Sequence, residues 1–600
     1  MPLPLLDAVR LLRHDVLQNF KASVADANDD QRFLLWWALS GHREYPAAND
    51  WLPADAQRRW LFEPVAASPQ RGGLGMNRLL LCLYAHRPTV HQAFDIGSPV
   101  GLWDAVSWFY VVALRELGLE AFLDSATRAA LNAPAFDGPG PQPTWLMTLL
   151  WRQQPALQRA WDLTKAEGRQ ALVHWFTTQG AQRFGLQPLL QGASAQAAAS
   201  AACAPSQRGG QQPAPFGVNL VGFAYGELGI GEDLRMAARA CEAADIPFKV
   251  LNINPGQHLR QADRHIAAHV VEDAAELPYA INLFCLTGFD TVRAYAERGP
   301  ALFAGRYNIG WWPWELPVWP RRWQPAFEVV DEIWAATRFT QEMFSKSTAK
   351  PVTLMPLPVS VERMKKTSRR SLGLPAKRFL FLYIFDFNSY LDRKNPEAVI
   401  DAFQRAFPDD GSVGLVLKTM NSRGDNPAWE AFTQRCAADP RIVLLQRTLD
   451  REVVLGLVNA CDAYVSLHRS EGFGRTLAEA MLLCKPVVGT GFSGNADFLT
   501  KDSGYPVKWK KRPVAVGEYP FIEAEDGAWW AEPDVAHAAR QMRAARSAAG
   551  SEWALQLPQQ MHSTFAPASI GTRMAQALRE RFDALQSAQA EEGTADTALA

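Results

Sequence analysis

Two doubly wound α/β domains behind an all-α segment are the fold class that this 600-residue sequence predicts, and three observations carry it. From residue 216 onward, short runs of β-branched and aromatic residues alternate with stretches of helical periodicity, the pattern of parallel sheets with crossover helices. Before residue 190 the periodicity is helical and repeats itself 67 residues further on. Between these regions, residues 191–215 are rich in Ala, Ser, Gln and Gly, a composition that cannot bury a core and reads as a flexible linker.

The first element is the helical domain, residues 1–190. Residues 79–88 align with 146–155, Phe94-Asp95 with Trp161-Asp162, and Trp108-Phe109 with Trp175-Phe176. A weaker third copy runs from Phe33 through Trp36-Trp37 to Gly41. Two or three copies of one helical unit are expected, each burying its Trp-Phe pair against a neighbour. The histidines here (His14, His42, His86, His91, His174) are scattered without metal-ligand spacing, so satisfied core or surface residues are the expectation. The domain reads as a module for docking a partner protein, for peripheral membrane contact or for handling an acceptor.

The first α/β domain, 216–375, opens with a strand at 217–224, a Gly226-x-x-Gly229-x-Gly231 loop and a helix from Glu232 to about Ala244. Strands follow at 248–251, 281–284, 307–310, 333–336 and 352–355. The second domain, 376–585, takes strands at 379–385, 413–418, 442–445, 463–467 and 486–489. Residues 586–600 are Ala- and Glu-rich and read as a disordered tail.

Composition narrows the chemistry. A formal net charge of -1 and 48% hydrophobic content describe a globular chain with no basic excess for nucleic acid. Seven cysteines, none in a C-x-x-C arrangement, suit a reducing cytoplasm. No apolar run of about eighteen residues predicts a membrane span. No D-x-D occurs, so no metal is expected on a diphosphate.

The most informative stretch is Ser470-Glu471-Gly472-Phe473-Gly474-Arg475-Thr476-Leu477-Ala478-Glu479, set between two strand patterns. Strand, glycine turn, helix, strand puts the turn at the carboxyl edge of a parallel sheet, where free helix N–H groups favour a diphosphate. Glu471 in the turn and Glu479 two turns into the helix then flank that diphosphate, each able to accept from a hydroxyl. The bland alternative is an ordinary acidic helix start.

This segment resembles the E-x7-E signature of retaining glycosyltransferases of the GT-B fold, in particular glycosyltransferase family 4. The resemblance covers about residues 216–585 and implies two Rossmann-like domains facing a cleft, with no cofactor beyond a nucleotide-diphosphate sugar as co-substrate. It implies that Glu471 contacts the donor sugar and Glu479 the ribose, with Gly472, Phe473 and Gly474 forming the turn between them. Lys394 is implied to neutralise the departing diphosphate together with an Arg six residues earlier, but that position is Asn388. Arg393, Lys418 and Arg475 are the candidates to supply the missing cation. The loop carrying Gly229 and Gly231 resembles the glycine loop near donor and acceptor; a tight strand-to-helix turn is the other reading.

Trp311-Trp312-Pro313-Trp314-Glu315 follows a strand, where such enzymes meet the acceptor. Glu315 is a candidate to accept an acceptor hydroxyl, with Trp312 and Trp314 either stacking on sugar or wedging the loop into the core. Residues 493–497 resemble the loop beside the donor sugar. Lys508-Trp509-Lys510-Lys511-Arg512 reads as a solvated loop or as a contact for anionic lipid. The implied activity is retaining hexosyl transfer to a carbohydrate or lipid-linked saccharide, at home in bacterial surface polysaccharide or lipopolysaccharide synthesis, in the cytoplasm and peripherally at the inner face of its membrane. The alternative is a catalytically silent GT-B module that binds a partner through the helical repeats.

Overall fold

The computed structural model describes residues 3–19, 27–48, 51–65, 68–190, 214–256, 259–420 and 427–598. The expected linker lies outside the described residues as far as 213. The chain divides into two compact units, one Leu5–Gln211 and the other Gln212–Ala600 with Met1–Pro4. Among the described residues no helix is long and apolar enough to cross a membrane.

In the first unit the elements from Arg78 to Phe122 recur after 67 residues. Arg78–His86 returns as Trp145–Gln153, Pro88–Ala93 as Pro155–Ala160, and Pro99–Trp108 as Ala166–Trp175. Each third helix then widens into a π-turn, Phe109–Ala113 and Phe176–Gly180. A third π-turn, Trp37–Gly41, follows Asp29–Trp36, at the weaker copy. The residues that open these turns, Trp37, Phe109 and Phe176, are among the largest fully buried side chains. Gly180 and Gly41 lie under indole rings: a Cβ there would sit 2.7 Å from Trp175 and 2.8 Å from Trp36. The widened turn and the missing side chain together let the ring lie flat on the helix.

The second unit holds two parallel sheets. Strands β1 (Val218–Gly222), β2 (Phe248–Asn252), β3 (Val270–Val271), β4 (Ile281–Cys285), β5 (Tyr307–Gly310), β6 (Glu332–Ala335) and β7 (Val352–Leu354) form the first, in the order β3-β2-β1-β4-β5-β6-β7. Strands β8 (Phe379–Asp386), β9 (Val413–Met420), β10 (Ile442–Gln446), β11 (Ala463–Ser466), β12 (Val487–Thr490) and β13 (Tyr505–Val507) form the second, in the order β10-β9-β8-β11-β12-β13. Both orders are the doubly wound one, reversing direction beside the first strand. The central strands β1, β4, β11 and β12 are buried along their whole length, as helices on both faces require. Two Rossmann-like sheets behind an all-helical stretch make the GT-B architecture.

Five helices of this unit matter below: α1 (Gly229–Ala243), α2 (Leu391–Lys394), α3 (Arg451–Ala460), α4 (Arg475–Leu482) and α5 (Pro567–Ala598). Helix α5 returns to the first sheet. Its Gly571 packs so closely on α1 that a Cβ would lie 2.2 Å from the Ala240 carbonyl oxygen, and its Arg581 holds the buried Glu332 of β6 at 2.9 Å. Its backbone stays helical to Ala598, through the stretch expected as a disordered tail, because Ala, Gln and Glu are strong helix formers.

The basic run at 508–512 is largely exposed but is a strand and not a loop. It forms β14 (Trp509–Pro513), paired antiparallel with β15 (Trp529–Pro533). Alternation splits its charges between two faces: Lys511 lies 4.6 Å over the Trp529 ring, while Arg512 lies over Trp530 and pairs with Glu518 at 2.6 Å. Five consecutive basic and aromatic residues hide this period of two.

Candidate active site

The reversal of strand order in the second sheet lies between β8 and β11, and the segments leaving those two strands carry the charged cluster. After β8 the chain makes α2, one turn whose two flanking residues, Tyr390 (φ +65°) and Asn395 (φ +51°), are left-handed without being glycine. The Asn395 amide donates to the Leu467 carbonyl at 3.1 Å, which fixes α2 to the segment following β11. That places Arg393 and Lys394 against Glu471.

Lys394 Nζ lies 2.5 Å from Glu471 Oε1, and Arg393 Nη1 lies 3.3 Å from Oε2. Arg393 also donates to the Ser470 carbonyl at 3.0 Å and faces Glu315 at 3.7 Å. The other Glu315 oxygen accepts from the Tyr519 hydroxyl. The Glu471 turn is pinned from the residue 493–497 loop, its amide donating to Ser493 Oγ at 2.8 Å and its carbonyl accepting from the Gly494 amide at 2.9 Å. Gly474, with φ +92°, turns the chain into α4, whose first two residues, Arg475 and Thr476, line the same cavity.

The cavity between the two sheets measures about 770 Å³. Gly229, Asp233 and Glu315 line it from the first sheet's side; Lys394, Lys418 and Glu471 line it from the second's. Burial pushes the Glu471 carboxyl up, but Lys394 and Arg393 outweigh it and hold the group at about 2. Burial pushes the Lys394 ammonium down, and adjacent Arg393 adds to that. Burial likewise lowers His468, to about 4, leaving a neutral ring with Nδ1 2.9 Å from Ser466 Oγ and Nε2 2.9 Å from Asn495 Oδ1.

The remaining candidates separate. Lys418 is 2% exposed and lines the cavity; burial pushes its ammonium down, against Asp386 and Glu227. Asn388 lies exposed at the cavity wall, its backbone N–H donating to the Asp386 carboxylate at 2.9 Å. Arg475 lines the cavity but pairs with Asp233 of α1 and donates to the Pro358 carbonyl at 3.1 Å. Gly472 and Phe473 line it beside Gly474; Gly229 does so with open space above its Cα, whereas Gly231 is a packing glycine whose added Cβ would meet the Gly226 carbonyl oxygen at 2.4 Å.

Three of the candidates stand away from the cavity. Trp312 is fully buried, its indole N–H donating to Thr291 at 2.9 Å, and Trp314 donates to the Val318 carbonyl at 2.8 Å. Neither lines the cavity, because both rings complete the aromatic cluster around Trp319. Glu479 is fully buried and does not line the cavity either: Arg451 of α3 grips both of its oxygens, Nη1 to Oε2 at 3.1 Å. Arg451 is a cavity residue that the sequence reading missed; it also missed Tyr519, which does not line the cavity but reaches Glu315 from the loop between β14 and β15. No local motif marks either of them.

Residues 364–512 match the family model of Glycosyl transferases group 1. No curated protein matches the chain. Among solved structures, Anabaena HepE in complex with UDP-glucose is 16% identical over 61% of this chain and 100% of its own, with a TM-score of 0.44. Sucrose-phosphate synthase from Thermosynechococcus elongatus is 15% identical over 62% of this chain and 100% of its own, also at 0.44. The N-terminal domain of Candida albicans trehalose-6-phosphate phosphatase is 12% identical over 62% and 98%, at 0.42. The family match lies on the second sheet, so it is residues 364–512 that are similar to glycosyl transferases of group 1.

Proposed function

We propose that the protein is a retaining, metal-independent glycosyltransferase that moves a hexose or deoxyhexose from a nucleotide diphosphate to a carbohydrate or lipid-linked acceptor, in bacterial surface polysaccharide synthesis. The observation that carries this reading is Glu471, held ionised between Lys394 and Arg393 where two parallel sheets present their carboxyl edges to one cavity. A departing nucleoside diphosphate accumulates negative charge, and preorganised cations in a water-poor cleft stabilise it most as that charge develops. Lys394 and Arg393 supply them, with the first amides of α4 adding their dipoles. Arg393 takes over from the residue that Asn388 replaces. Glu471 then orients the donor sugar, and transfer proceeds on the face the diphosphate leaves, without a covalent nucleophile. Glu315, open to the cavity and braced by Tyr519, accepts from the incoming hydroxyl.

The test is thermal-shift binding of uridine, guanosine and adenosine diphosphates and their sugar conjugates without divalent metal, on wild type and Lys394→Ala. Stabilisation by one base, reduced in the variant, supports the reading and names the base. No shift of the wild type at millimolar nucleotide removes it in favour of a silent, partner-binding module.

A further inference from the structure

We propose that Arg451, and not Glu479, is the group that meets the ribose of the donor nucleotide, Glu479 serving as the positioning residue that fixes the Arg451 guanidinium. This rests on the nucleotide-sugar reading above. The carboxylate that the E-x7-E spacing nominates for the ribose has no surface: Glu479 is 0% exposed and stands behind Arg451. Arg451 opens α3 and lines the cavity together with Leu449 and Asp450, so at this point the guanidinium, and not the Glu479 carboxylate, is the group within a ligand's reach.

The geometry leaves donors for a ligand. A guanidinium has five N–H groups in a planar fork. Two of them, one on each terminal nitrogen, go to Glu479, and Nε faces Glu232 Oε1 of α1 at 3.4 Å without making a hydrogen bond. Among the described residues Arg451 donates no other hydrogen bond, which leaves the second N–H of each terminal nitrogen uncommitted. Glu232 is 6% exposed and is itself gripped by Arg235 at 3.0 Å. Carboxylates from two helices on opposite sides of the cleft therefore clamp one arginine, and its orientation is set before any nucleotide arrives. A clamped guanidinium donates to hydroxyl oxygens, whereas a bare carboxylate accepts from hydroxyl protons.

The experiment is calorimetric titration of the full chain with uridine, guanosine and adenosine diphosphates and their 2′-deoxy and 3′-deoxy counterparts. Wild type is compared with Arg451→Lys, Arg451→Ala and the double variant Arg451→Met, Glu479→Gln, which leaves no buried carboxylate without its partner. Wild type is expected to favour the ribo form over one deoxy form by about tenfold, the size of one hydrogen bond to a charged donor. That preference should fall to within about twofold in Arg451→Ala and in the double variant, with diphosphate binding retained through Lys394, and survive in part in Arg451→Lys. Full discrimination in either the folded Arg451→Ala or the double variant overturns the proposal. If the wild type binds none of the diphosphates, the nucleotide-sugar reading falls, and this inference with it; if it binds without preferring ribose, only this inference does.

Discussion

Glu471 keeps its charge in a place where burial works against ionisation, and it does so because two cations from one helical turn stand on its two oxygens. Glu471→Gln keeps the shape and removes the charge. Its transfer rate is expected to fall by about a hundredfold or more while nucleoside diphosphate affinity stays within about threefold, read from initial rates and calorimetry. His468 gives a pH dependence of its own. Its folded value, about 4, lies below the 6.5 of a free imidazole, so the unfolded chain binds the proton first as pH drops. The stability it contributes is complete above pH 6.5 and is lost as pH falls through 4, on the order of 3 kcal/mol. A melting-temperature scan should show that slope in wild type and a flatter one in His468→Asn. Glu471 and Glu232, both held at about 2, act lower, losing their contribution between 4.5 and 2.

At the scale of elements, two kinds of signal were legible in the sequence and one was not. Buried parallel strands announce themselves as apolar runs, and so β1, β4, β8 and β11 stand where the runs are. The carboxylate at 471 and the cations at 393 and 394 were legible for a related reason: each leaves the end of such a strand. Glu479, Arg451 and Tyr519 were not, because their roles depend on which helix or loop folds over which, and an arginine at a helix start looks the same whether it faces water or a glutamate. The loop between β14 and β15 shows the same limit. It carries Tyr519 to Glu315, stacks Phe521 on Phe289 at 5.0 Å and accepts the Arg321 amide on Asp526 at 3.0 Å, all of them partners on the first sheet's side. Tyr519→Phe should therefore lower the transfer rate by about tenfold through a loosened Glu315, with nucleotide affinity unchanged. In the helical unit, Gly101 and Gly168 begin equivalent helices, and a Cβ on either would sit 2.2 Å from the carbonyl oxygen of Asp95 or Asp162. Gly101→Ala and Gly168→Ala are each expected to destabilise that unit by about 2–4 kcal/mol, measured by denaturant unfolding.

For the whole molecule, the composition of residues 191–213 and the division into two units carry one expectation. Limited proteolysis should cut there first and release two folded fragments, and a nucleoside diphosphate should raise the melting temperature of the carboxyl-terminal fragment alone. A shift in the amino-terminal fragment would place a nucleotide contact in the helical repeats. The GT-B pairing of sheets was legible at this scale because doubly wound domains repeat one grammar of strand and helix, while the return of α5 to the first sheet was not, since nothing in an amphipathic helix names its partner.

From Arg78 to Phe122 the 67-residue spacing holds from element to element, down to the paired left-handed glycines Gly118 and Gly185. Two stretches that differ in most side chains have thus gained or lost no residue relative to each other anywhere along that length. Duplicated segments free to drift in loop length would have slipped out of phase. That they have not means the connections are themselves part of the packing.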